Sequence, residues 1–149
     1  MKKLLTVCTI AVGLITSPLI ANAQAKDTPV GLWKTIDDET KQAKSLVRIT
    51  EKDGILTGTI EKILDPAKAA NKCEKCTDDR KDKPVQGMTI VTGLKKGEGE
   101  WNDGQILDPN NGKIYKAKAT VRDGGKQLEV RGFVGIAALG RSQMWVREE

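Results

Sequence analysis

The stretch from Trp101 to Tyr115, Trp-Asn-Asp-Gly-Gln-Ile-Leu-Asp-Pro-Asn-Asn-Gly-Lys-Ile-Tyr, leaves its backbone little choice. The Asp108 carboxylate can accept from a backbone amide two residues on. Pro109 presets φ for the second residue of a turn, and Asn111-Gly112 tolerate the positive φ that closes the loop. These residues predict a β-hairpin and set the register of the Trp101 strand against the Tyr115 strand. In the returning strand Tyr115, Ala117, Ala119 and Val121 alternate with Lys116, Lys118, Thr120 and Arg122. One face is therefore apolar and the other solvated, as in an antiparallel sheet with one wet side.

The same alternation recurs along the chain. Gly31 to Ile36 reads as a strand, and Ser45 to Glu51 as a second, with Val47 and Ile49 opposite Leu46, Arg48 and Thr50. Lys52-Asp53-Gly54 turns it into Ile55 to Ile63, where Leu56, Gly58 and Ile60 face away from Thr57, Thr59 and Glu61. Met88 to Leu94 is another strand, turned by Lys95 to Gly99. Asp123-Gly124-Gly125 leads into Gln127 to Phe133, and Gln143 to Arg147 is the last. Eight or nine short strands joined mostly by hairpins, with no long segment of helical period, predict an all-β fold. A single antiparallel up-and-down barrel of about eight strands is favoured over a sandwich, because closure removes unpaired edges.

Two segments lie outside the strand pattern. Asp65-Pro66 resembles a helix start, so Pro66 to Ala70 is expected as one helical turn, followed by a charged loop with Cys73-Glu-Lys-Cys76. Phe133-Val-Gly-Ile-Ala-Ala-Leu-Gly140 is apolar without alternation. It reads as a short helical turn packed under one barrel end, or alternatively as an apolar lid at a cavity mouth.

The first 23 residues run from Lys2-Lys3 through an apolar stretch to Ala21-Asn22-Ala23, the pattern of a cleaved secretory signal, so a periplasmic location is expected. Gly13, Ser17 and Pro18 interrupt the apolar run, against a retained membrane anchor, and Val7 before Cys8 argues against lipidation. Residues 24–149 suffice for one domain. The signal carries two of the 25 Lys and Arg and none of the 20 Asp and Glu, leaving a surplus of three cations in the remainder. These alternate with acids, which speaks for a solvated surface and against nucleic acid as partner.

The chain has no His, which removes the commonest general base, the Ser-His triad and most transition-metal sites. No carboxylate pair stands among inward apolar positions, so no enzyme, metal or cofactor is read from the residues. Cys73 and Cys76 are expected to pair in an oxidising compartment. Their ring is too short to stabilise the global fold much, and flanking Glu74, Asp78 and Asp79 raise the thiol pKa, so a structural bridge is preferred over redox work. The aromatic residues are Trp33, Trp101, Tyr115, Phe133 and Trp145, with Arg131, Arg141 and Arg147 late in the chain. A guanidinium stacked on Trp33 would close one barrel end, and Arg147 is assigned that part.

Gly31-x-Trp33, Cys73-x-x-Cys76, Gly87, Trp101-x-x-Gly104, Asp108-Pro109, Gly112-Lys113-x-Tyr115, Arg131-Gly132, Gly140-Arg141 and Trp145-x-Arg147, in this order, resemble a family of small exported bacterial proteins known only as a domain of unknown function. The resemblance implies a lipocalin-like barrel, and Gly31-x-Trp33 with a late Arg is similar to the lipocalin signature. It also implies a small hydrophobic ligand. The candidate ligand contacts are Trp101, Tyr115, Phe133, Arg131 and Trp145, with Leu56, Ile60, Val130 and Met144 as further inward positions. The expected protein is an exported, non-enzymatic, monomeric binding protein. The alternatives are an envelope protein that engages acidic glycan, lipid head groups or a protein partner through Lys116, Lys118 and Arg122, and a Cys-x-x-Cys redox protein.

Overall fold

The computed structural model describes residues 27–149, so the expected signal peptide and Cys8 lie outside the described residues. Eight antiparallel strands form a closed barrel in sequence order. They are β1 (Gly31–Ile36), β2 (Ala43–Lys52), β3 (Ile55–Ile63), β4 (Thr89–Lys96), β5 (Trp101–Asp108), β6 (Lys113–Arg122), β7 (Gln127–Phe133) and β8 (Arg141–Arg147). Closure is made by β1 on β8, with Trp33 opposite Arg147 and Lys34 opposite Val146.

The central hairpin forms as its residues dictate. The Asn110 amide donates to Asp108 Oδ1 at 2.9 Å, the Gly112 amide donates to the Asp108 carbonyl at 2.8 Å, and Gly112 has φ 71°. Asn111 keeps an ordinary φ and instead holds the loop through its side chain, whose Oδ1 accepts from the Lys113 amide. Tyr115 pairs with Ile106, while Trp101 pairs with Ala119 across a register shift between Trp101 and Gly104. Asp103, at φ 61°, stands in that irregular stretch. Such a bulge re-aims the strand, and nothing in the period-2 pattern announces it.

The inward faces build one core, containing Trp33, Val47, Ile49, Leu56, Leu94, Leu128, Val130 and Trp145. Several of these, Trp33, Val47, Leu56 and Leu128 among them, have no exposed surface at all, so no water-sized space adjoins them. Burying this many large apolar side chains is the main favourable term, at about 25 cal/mol per Å² of apolar surface.

The expected turn after Asp65 is a 3₁₀ turn, Pro66–Lys68, capped by the Asp65 side chain on the Ala67 amide. The segment after β7 departs from its expected packing. It makes a 3₁₀ turn, Ala137–Leu139, but buries none of those residues, and Val134, Ile136 and Leu139 point into solvent. The reason is topological: the barrel is closed by its strands, and at this point the chain has already left the interior. Phe133 itself lies on the outward face, since Leu128, Val130 and Gly132 take the inward positions of β7.

Candidate functional site

The two barrel ends differ in chemistry. At one end lie the beginning of β1, the end of β8 and the short turns β2–β3, β4–β5 and β6–β7. There the Arg147 guanidinium stacks 4.1 Å from the centre of the Trp33 ring. Arg147 also donates to four backbone carbonyls, Nε to Gly125 at 2.5 Å, Nη1 to Val30 at 2.9 Å and to Glu149 at 3.4 Å, and Nη2 to Thr28 at 2.7 Å. Burial pushes its pKa down, yet an arginine stays charged, and the carbonyls with the indole face replace its lost water. Trp33 Nε1 in turn donates to the Pro29 carbonyl at 2.7 Å. Gly31 has φ 142°, and a Cβ there would stand 2.6 Å from Arg147 Nη1, which explains the glycine two residues before the tryptophan. This end is shut.

The other end carries the long connections: β1–β2, the loop from residue 64 to residue 88, the β5–β6 hairpin and the β7–β8 loop. Following four of the inward faces towards it, the side chains become polar, and on β2, β6 and β8 burial turns partial. Trp33 is followed by Thr35, Val47 is preceded by Ser45, Trp145 by Gln143 and Ala117 by Tyr115. Ile106 and Gly132 flank Tyr115 on the neighbouring strands, and both are half-buried. Thr35 and Ser45 hydroxyls lie 2.7 Å apart, the Trp145 indole donates to Gln143 Oε1 at 3.3 Å, and the Asn111 amide donates to the Tyr115 hydroxyl at 3.1 Å. Above them Asp38, from the β1–β2 loop, accepts from Arg141 and from Gln143 Nε2. These hydroxyl and amide groups ring an apolar floor at this end, a cup in outline.

The disulfide Cys73–Cys76 forms within the long loop. Both cysteines are buried and belong to the core cluster. Cys73 Sγ sits 3.6 Å from the Pro109 carbonyl oxygen, so the loop is packed on the tip of the β5–β6 hairpin. Its own backbone bonds, Asp82 N to Cys73 O and Val85 N to Asn71 O, both 2.9 Å, make it a compact cap and not a free strand of chain.

The residues expected to touch a ligand are not brought together. Trp101 and Trp145 lie in the packed floor, nearer the shut end, and Tyr115 stands at the rim of the cup. Arg131 and Phe133 face outwards. The Arg131 guanidinium is occupied with the carbonyls of Ala137 and Ala138 and the Ser142 hydroxyl. Leu56, Ile60 and Val130 are inward and buried, whereas Met144 is 39% exposed on the outer wall beside Trp145. Met144 and Arg131 each alternate with a buried inward neighbour, Trp145 and Val130, and so face outwards. Thr35, Ser45 and Gln143 escaped notice because they are polar, although each sits two residues from a buried inward residue and so shares its phase.

On the outer wall Lys116, Lys118 and Arg122 do share a strand face. Lys118 pairs with Glu100 at 3.0 Å and Arg122 with Glu129 at 2.7 Å. The Arg122 and Ser142 side chains hold the Glu129 carboxyl below its ordinary pKa. A surface groove of about 310 Å³ runs between these pairs, lined also by Thr120, Arg131, Ala137 and Ala138. Its cations are largely spent on their own neighbours.

A search of solved structures finds protein HP1028 from the human pathogen Helicobacter pylori, described as belonging to the lipocalin family. It superposes with a TM-score of 0.69 over 80% of this chain and 82% of that one, at 20% sequence identity. At that identity the likeness concerns the fold, which is lipocalin-like. A comparison with curated proteins finds no match. The family model described as uncharacterized protein conserved in bacteria (DUF2147) matches residues 31–147, from the first residue of β1 to the last of β8, and the chain belongs to that family.

Proposed function

We propose that this protein is an exported, non-enzymatic binding protein that holds a small apolar or amphipathic molecule in the cup opposite the Trp33–Arg147 closure. One observation carries the reading: on the adjoining inward faces of β8, β1 and β2, and on that of β6, Gln143, Thr35, Ser45 and Tyr115 offer polar handles at the same barrel end above an apolar floor. Small-molecule sites combine an apolar surface with a few placed polar groups in this way. The packed state of Trp33, Leu56 and Leu128 means that the ligand rests on the floor and does not penetrate to the shut end.

Native mass spectrometry of protein purified from its own cells, with displacement of a fluorescent fatty acid, tests this. Tyr115→Ala should weaken displacement on the order of fivefold, about what one partly buried aromatic contact contributes. Protein that emerges ligand-free and displaces nothing sinks the proposal. Export is checked by N-terminal sequencing of the periplasmic fraction, which should begin at Gln24. The outer-wall reading draws less support, because Lys118 and Arg122 already have carboxylate partners. Burial of both cysteines speaks against disulfide exchange, which needs an approachable sulfur.

A further inference from the structure

We propose that the β7–β8 loop is a docking tip for an anionic lipid surface. Leu139, Val134 and Ile136 are 80%, 72% and 62% exposed, and the other large exposed aliphatics among the described residues, Ile55, Ile114, Met144 and Val146, stay between 38% and 44%. Scattered exposed apolar residues are ordinary, but here the three most exposed fall within six consecutive positions.

The tip has a defined shape, and a polar residue holds it away from the wall. Arg131 reaches across with Nε on the Ala137 carbonyl at 2.6 Å, Nη2 on the Ala138 carbonyl at 3.2 Å and Nη1 on Ser142 Oγ at 2.9 Å. The turn is closed by Leu139 N to Ile136 O and Gly140 N to Ala137 O. The neck is narrow, since a Cβ on Gly140 would meet Phe133 Cβ at 2.7 Å. With its carbonyls tied to Arg131, the loop presents its aliphatic side chains to water instead of folding them onto the barrel.

Three aliphatic side chains on a convex tip can bury only roughly 300–400 Å², well under the ~800 Å² per partner of a stable protein interface. A tip of this kind suits a deformable apolar phase, the boundary between head groups and acyl chains. The charges beside it complement an anionic surface. Lys116 is exposed on the β6 position opposite Phe133, and Lys113 is exposed at the same end of β6. Neither has a salt-bridge partner among the described residues, while Arg141, at the loop's end, is shared with Asp38. The expected export would bring the tip to a membrane face, and because the cup opens at the same end, docking would bring its rim close to lipid.

Vesicle co-sedimentation decides the matter, with a chain starting at Gln24, which retains every residue of the barrel. Vesicles of phosphatidylglycerol and phosphatidylethanolamine should bind it, and phosphatidylcholine vesicles should bind it less. The Val134→Ser, Ile136→Ser, Leu139→Ser triple variant should lose on the order of tenfold in partitioning, and Lys116→Glu should lose less and lose its salt dependence. The triple variant should melt with the wild type, because the three side chains are exposed. Equal partitioning of the triple variant, or no vesicle binding by the wild type, overturns the proposal. So does a dimer in sedimentation equilibrium that the triple variant dissolves, since the tip would then serve a second copy. Fluorescent fatty-acid displacement without vesicles should be unchanged in the triple variant, which separates this docking from the cup itself.

Discussion

Gly112 lies directly against the Lys75 backbone: a Cβ at Gly112 would overlap the Lys75 carbonyl and stand 2.8 Å from the Cys76 amide nitrogen. The tip of the β5–β6 hairpin and the disulfide loop are thus fitted to each other at the one position between β5 and β6 where the turn has positive φ. Gly112→Val therefore faces both backbone strain and a clash with main chain that cannot swing aside. Its cost should be about 3 kcal/mol or more. At Gly97 the nearest atom to a new Cβ is the side-chain Nδ2 of Asn102, which can move, and φ is ordinary, so Gly97→Val should cost about 1 kcal/mol. Thermal unfolding of the two variants measures the difference, and equal melting temperatures would mean that the loop does not rest on the hairpin.

Removing the guanidinium at the shut end should be among the costlier single changes. Arg147→Met leaves the carbonyls of Thr28, Val30 and Gly125 without their donor and opens the edge of Trp33 to water. The expected loss is about 3 kcal/mol in urea unfolding, with a red shift of tryptophan emission. Arg147→Lys should recover little of it, because an ammonium lacks the planar fork that serves these carbonyls and the ring together.

The disulfide should matter locally. Its ring is short, and both sulfurs are buried in the loop that it braces. Replacing Cys73 and Cys76 with Ala should lower the melting temperature by only about 4–8 °C. In hydrogen exchange the amides of Asp82 and Val85, bonded within the loop, should lose protection while those of β7 keep theirs. Equal loss across the barrel would show that the loop is part of the cooperative core.

Strong acid should loosen the β1–β2 connection. The backbone amides of Thr40 and Glu39 bond the Asp37 carboxylate and hold its pKa down to about 2, against an ordinary 3.8. A group depressed in the folded state stabilises the fold fully above its unfolded pKa and loses that contribution as pH falls through its folded one. The loop's ordering is thus complete above about pH 4 and lost towards about pH 2. A carboxyl titration by NMR should place Asp37 near the lower value. Asp37→Asn should remove the pH dependence of the Thr40 and Glu39 amide shifts in that window, and a dependence that persists would assign it to another carboxyl.

Much of the fold was written in the sequence because period-2 alternation and turn chemistry act locally. Ile55–Ile63 has the ends that its turn residues and alternation indicate, and the phase of Val47, Ile49, Leu56, Ile60, Leu128 and Val130 follows from their neighbours alone. Pairing Trp33 with a late arginine was also legible, since few residues can satisfy an inward indole face and a row of end carbonyls at once. What local rules could not supply is whatever depends on closure. Asp103 lies in a register shift only because β4 and β6 must both be met by β5. The exposure of Val134, Ile136 and Leu139 was decided in the same way: apolar character says that a side chain gains by burial, but only the finished barrel, already filled by its own core, determines that no room is left for them inside.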